Sequence, residues 1–149
     1  MIIYSGIKSD FMEAIENASI ASQIKDNIYN KMHRNTSESE FRSWQNSLQS
    51  MYIVLADSQI PKDTGIAIEY NIPQTSKRVD FIISGYDEDR KPNVIIIELK
   101  QWSDAQAVQG QDALVETYTG GALRKVVHPS YQAWSYKACL IYTSPSPRD

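Results

Sequence analysis

The chain is poor in the residues that bind soft metals or form cross-links. Its single cysteine, Cys139, has no partner for an internal disulfide, and its two histidines, His33 and His128, stand far apart, so no zinc-type Cys/His spacing exists. No stretch approaches the roughly 18 to 20 apolar residues of a membrane-crossing helix. The N-terminus also lacks the basic-then-apolar order of a leader peptide. The expectation is a cytoplasmic protein with no membrane partner. Positive charge is short as well: 15 Lys and Arg against 18 Asp and Glu leave a net charge of −3. That balance argues against a protein that coats nucleic acid by bulk electrostatics. It still permits a local basic cleft, because Lys77, Arg78, Lys100, Arg124, Lys125 and Lys137 all fall in the second half of the chain. A Gly-x-x-x-x-Gly-Lys-Ser/Thr phosphate loop is absent from the 149 residues.

What is present suits one ordinary domain with a substantial core, since 42% of residues are hydrophobic and 22% charged. The early part reads as helices over residues 9–55. Asp10 to Glu13 opens the first. Ile20, Ile24, Ile28 and Met32 recur every four residues along the second. Ser37 with Glu40 forms a capping box for the third, which carries Phe41, Trp44, Leu48, Met51 and Leu55 on one stripe. Strands follow over residues 65–100. Ser103 with Gln106 is read as the cap of a helix reaching about Thr117, and Pro129 as the first turn of a last helix through Trp134 and Ala138, so residues 103–138 are expected to be helical.

Two of the strands carry charges where apolar runs would exclude them. Val94 to Leu99 is interrupted only by Glu98, the pattern of a strand buried on both faces. Asp80 sits between Val79 and Phe81, and the turn-rich Tyr86 to Asn93 folds the two runs into a hairpin. Glu98 and Lys100 are two apart and leave one face of a strand together. Carboxylates brought close repel unless a proton or a cation intervenes. Oxygen ligands with positions left for water suit Mg²⁺ or Mn²⁺. Lys100 could then act on a water or on the charge of an attacked phosphate, which is the chemistry of metal-assisted phosphodiester hydrolysis. A purely structural ion pair of Glu98 or Asp80 with a lysine is the other reading of the same residues.

Asp80 and Glu98-Leu99-Lys100 resemble the PD-(D/E)xK nuclease superfamily, whose core places an acid on one strand and an acid, any residue and a lysine on the next. Gln132 to Tyr136 is similar to the Gln-x-x-x-Tyr element of the RecB-like branch. Across longer blocks, Ser37 to Leu48, Glu69 to Phe81, Glu98 to Trp102 and His128 to Trp134 look like the N-terminal region of the Schlafen-group-3-type bacterial proteins, where such a region precedes a DNA/RNA helicase domain. The residue before Asp80 is Val79 and not the proline of the superfamily's name.

The resemblance implies an α/β, restriction-endonuclease-like three-layer core with N-terminal helices and a mixed sheet, spanning residues 1–138. It implies a metal-dependent nuclease acting on DNA or RNA, with a helicase domain in cis that this chain does not contain. Asp80 and Glu98 would be metal ligands, with the Leu99 carbonyl as a further one, Lys100 the base or charge stabiliser, and Gln132 a contact to phosphate or to the lysine. Glu40, Glu69 and Tyr136 are secondary candidates. Glu40 has its capping box as the competing role, Glu69 could face the site or solvent, and Tyr136 shares a helical face with Gln132. Of the tryptophans, Trp44 reads as core and Trp102 as a surface on which a base could stack. The alternative function is a nuclease-like fold that binds nucleic acid without cutting it.

The tail from Cys139 to Asp149 resembles the translation of a sequencing adapter. On that reading residues 139–149 are not native, and the sheet lacks the strand that the superfamily adds after the last helix. An ordinary disordered Ser/Pro-rich end is the alternative.

Overall fold

The computed structural model describes residues 1–143, and side chains to residue 140. The chain is α/β, with two antiparallel sheets and four helices among the described residues. It divides into two compact units, Met1–Ile97 and Glu98–Asp149.

The first unit begins with β1 (Ile2–Ile7), then α1 (Lys8–Glu16), α2 (Ile20–Met32) and α3 (Glu38–Leu55), followed by β2 (Gly65–Asn71), β3 (Arg78–Tyr86) and β4 (Pro92–Ile97). The sheet order is β1-β2-β3-β4, with every neighbouring pair antiparallel. Short connections from β2 to β3 and from β3 to β4 dictate that, because parallel neighbours need a crossover. The mixed sheet expected from the sequence is therefore not found among the described residues.

Helix α2 follows its isoleucine repeat and ends where His33 turns left-handed at φ 52°. Helix α3 starts at Ser37, whose hydroxyl accepts from the Glu40 N–H at 3.1 Å. Its buried stripe is Trp44, Leu48, Met51 and Leu55, whereas Phe41 is only half-buried. Helix α1 starts two residues before Asp10. The Asp10 carboxylate reaches back to accept from the Ile7 N–H at 3.2 Å, so Asp10 serves the cap from inside the first turn. Phe11 then packs edge-on against Phe81 of β3, ring centroids 5.5 Å apart and both rings fully buried. Ile3, Ile66, Ile68, Val79, Ile24, Ile28, Leu48 and Leu55 complete this core.

Strand β4 is not buried on both faces. Val94 is 59% and Ile95 56% exposed, and since neighbours on a strand point to opposite faces, neither face is covered there; β4 is also the sheet edge. The turn before it is held by Asp87, whose Oδ1 accepts from the N–H groups of Asp89 and Lys91, both at 2.9 Å.

In the second unit the helix expected from Ser103 to Thr117 is replaced by β5 (Gln106–Ala107), β6 (Leu114–Thr119) and β7 (Ala122–Val127), a three-stranded antiparallel sheet. Among the described residues of this unit only α4 (Pro129–Thr143) is helical. The decisive signal is Gly120-Gly121 between two β-rich runs. Both glycines take positive φ, 59° and 83°, the two-residue turn whose twist matches a hairpin. Replacing Gly121 with alanine is expected to cost about 1 to 2 kcal/mol by forcing a Cβ into the left-handed region. The loss should appear as faster amide exchange in β6 and β7 than in β1 to β4.

Of the tail, residues 139–143 continue α4. The rest, 144–149, lies outside the described residues.

Candidate functional site

In the first unit, charges expected to stand separately form one network. Glu69 lies on β2 between Ile68 and Tyr70, and Glu69 and Ile68 are both buried, which breaks the in–out alternation of a strand. The break coincides with a left-handed backbone, φ 58°, at Glu69. Its carboxylate meets α3, where Trp44 Nε1 donates to Oε1 at 3.1 Å. On the other oxygen, Arg78 Nε lies 2.7 Å from Oε2, a close ion pair without an aligned hydrogen bond. Arg78 Nη1 is also 3.5 Å from Glu40 Oε1, and Glu40 is gripped in turn by both terminal nitrogens of Arg34, at 3.1 to 3.3 Å.

The two acids respond in opposite ways. Burial raises the Glu69 carboxyl above its ordinary value; the Arg78 charge and the Trp44 hydrogen bond pull the other way but are outweighed, and the charges of Asp80 and Glu40 add to the rise. Burial also pushes Glu40 up, yet the Arg34 hydrogen bond and charge, the Arg78 charge and the contact to Ser37 prevail and hold it below the usual carboxylate range. Asp80, half-buried on β3, belongs to this electrostatic neighbourhood, two residues from Arg78 along the strand.

The Glu69 shift sets a sign. A raised folded-state value means that the protonated form is the better one in the fold. Its stabilising contribution is full below the unfolded value, near 4.5, and is lost as pH rises through the raised one. Glu69→Gln, which fixes a neutral amide, is expected to gain stability over the wild type as pH rises from about 4 to 8 in paired denaturant titrations. A difference independent of pH would show that Glu69 does not titrate in that window.

The residues of the second unit are held differently. Glu98 and Lys100 follow β4 outside any strand and pair directly, Nζ to Oε1 at 2.7 Å. Side-chain exposure is 5% for Glu98 and 27% for Lys100. Lys100 Nζ also stands 5.7 Å from the Trp102 ring centroid, in cation–π range. Gln132 and Tyr136 satisfy one another on α4, the amide nitrogen donating to the phenol oxygen at 2.6 Å. Tyr136 is buried, while Trp134 on the same helix is 59% exposed.

No group of three or more His, Cys, Asp or Glu is placed to hold a metal ion among the described residues. Glu40 and Glu69 do not suit a cation as they stand, since arginines already neutralise them.

Sequence reasoning missed Arg34 and named Arg78 only as part of a local basic cleft, not as the partner of Glu69 and Glu40. The signal was present for Arg78, two residues before Asp80 and so on the same strand face. No local pattern marks Arg34, which reaches Glu40 across the α2–α3 connection.

No family model matches the chain, and neither does any curated protein or solved structure.

Proposed function

We propose that this chain is a metal-dependent nuclease domain of the restriction-endonuclease-like PD-(D/E)xK type, hydrolysing phosphodiester bonds of DNA or RNA within a larger helicase-containing protein. The supporting observation is the β3–β4 register. Phe81 pairs with Ile97, which sets Asp80 just past the last β3–β4 pair in the first unit, and in the second unit Lys100 is ion-paired to Glu98. Asp80 and Glu98 would hold the Mg²⁺ or Mn²⁺ ion, the Leu99 carbonyl adding an oxygen. The ion supplies Lewis-acid polarisation of the phosphate. The Lys100 ammonium, paired with Glu98, offsets the negative charge that builds on the attacked phosphorus centre. The Arg78 side chain neutralises Glu69 and Glu40 beside Asp80, which limits the excess of negative charge that a phosphate would meet there.

The arginine-capped acids and the absence of a three-acid group among the described residues favour a second reading, a module that binds nucleic acid without cutting it. The two are separated by assaying the protein with Mg²⁺ or Mn²⁺ on single- and double-stranded DNA and on RNA beside Asp80→Asn. Cleavage that the variant loses is the expected result. Folded wild type that binds these substrates and leaves them intact would establish the second reading instead.

A further inference from the structure

Two of the three tryptophans are already engaged. Trp44 is buried and donates to Glu69, and the Trp102 ring faces the Lys100 ammonium at 5.7 Å. Trp134 differs. It is 59% exposed on α4, and its ring lies 5.6 Å from that of Tyr131, itself 49% exposed, with the two planes 33° apart. Apolar residues scattered singly over a surface are ordinary. Two large rings in contact, both open to water, form a platform instead. We propose that this platform binds single-stranded nucleic acid by stacking on its bases, an inference that rests on the nucleic-acid reading above and narrows the substrate to an unpaired strand.

The helix presents the platform in a fixed way. Steps of three residues nearly complete a turn, so Tyr131, Trp134 and the exposed Lys137 follow one another along one ridge. On the other side of α4, Tyr136 is buried and accepts from the Gln132 amide, which holds the ridge outward.

Charge selects the partner. The chain carries a net charge of −3, yet residues 117–143 contain Arg124, Lys125 and Lys137 and no Asp or Glu. Exposed rings in an acid-free basic segment are what a single strand requires: ring faces for its bases and cations for its backbone. A duplex keeps its base faces stacked on one another, so this surface discriminates against it.

The test is binding of labelled single-stranded DNA and RNA of about twelve nucleotides, within the usual span of single-strand sites, and of a duplex of equal length. The full chain is used in EDTA, where a metal-dependent nuclease cannot cut. Single strands are expected to bind about tenfold or more above the duplex and to quench tryptophan emission. Tyr131→Ala and Trp134→Ala should each weaken binding about tenfold with the melting temperature unchanged, since both side chains are exposed. Trp134→Phe should keep most of the affinity and lose the quenching. Lys137→Gln should reduce the slope of affinity against salt by about 0.7. If these affinities hold while no cleavage occurs with metal, the nuclease reading fails and this inference stands. Cleavage that ignores both strandedness and the two alanine variants would reverse that outcome. Equal affinity for duplex and strand, no binding at low salt, or affinity unchanged in both alanine variants would overturn the inference. So would a wild type that sediments as a dimer beside a monomeric Trp134→Ala, which would make the ridge an interface between copies of this chain.

Discussion

Replacing Lys100 with alanine is expected to lower phosphodiester cleavage by a factor of about 10² to 10³, the usual cost of removing one group that stabilises transition-state charge. The same change leaves the Glu98 carboxylate, 5% exposed, without its ammonium at 2.7 Å. An inactive Lys100→Ala protein could therefore reflect a disturbed Glu98 as readily as a missing catalytic group. Lys100→Arg separates the two. A guanidinium can keep the ion pair and offset charge, but it does not give up a proton near neutral pH. Activity restored by arginine would assign Lys100 to charge stabilisation. Activity still absent in a variant with wild-type melting behaviour would assign it to proton transfer. Full activity in Lys100→Ala would remove the residue from the mechanism.

The largest expected loss of stability follows Phe81→Ala. Phe81 is fully buried, meets Phe11 edge-on at 5.5 Å, and joins α1 to the middle of the sheet. Truncating such a ring removes the transfer free energy of the side chain and leaves a cavity, together about 3 to 5 kcal/mol. Against a total near 5 to 15 kcal/mol, that should lower the melting temperature of the first unit by roughly 10 to 20 °C. The consequence reaches the proposed metal ligand Asp80, the neighbour of Phe81 on β3, because Phe81 also pairs with Ile97 of β4. Phe81→Leu, which keeps much of the apolar volume, should recover more than half of the loss. A melt indifferent to Phe81→Ala would contradict this packing.

Much of this was legible in the sequence where one physical signal acted alone. The four-residue isoleucine repeat foretold α2, the Ser37–Glu40 cap and its apolar stripe foretold α3, and the turn at Asp87 to Lys91 foretold the β3–β4 hairpin. Failure came where signals competed. Ser103 and Gln106 mimic a helix cap, yet Gly120-Gly121 and the β-branched residues around it made strands. Strand β1 is short and contains Gly6, and it gains its standing from pairing with β2, more than fifty residues away in sequence. Strand β4 looked buried because its residues are apolar. Whether anything packs over its two faces decides otherwise, and the strand's own residues do not carry that information. Among the candidate residues, Asp80, Glu98 and Lys100 stood out as charges within or beside apolar runs, though only Asp80 lies on a strand. The burial of Glu69 did not, since strand alternation with Ile66 and Ile68 puts it on the opposite face and only its left-handed backbone brings it to Trp44.

That backbone has a consequence for how the chain would change under selection. At φ 58° a glutamate is among the less comfortable residues, and glycine or asparagine would rest there with less strain. Burial of its carboxyl adds a second penalty at neutral pH. A library screened only for heat resistance should therefore discard Glu69 early, in favour of smaller uncharged residues. A library screened for activity should keep it if the charge network serves the reaction. The divergence between the two outcomes at this one codon would report, without any assay of mechanism, whether the strain at Glu69 is tolerated for the sake of function.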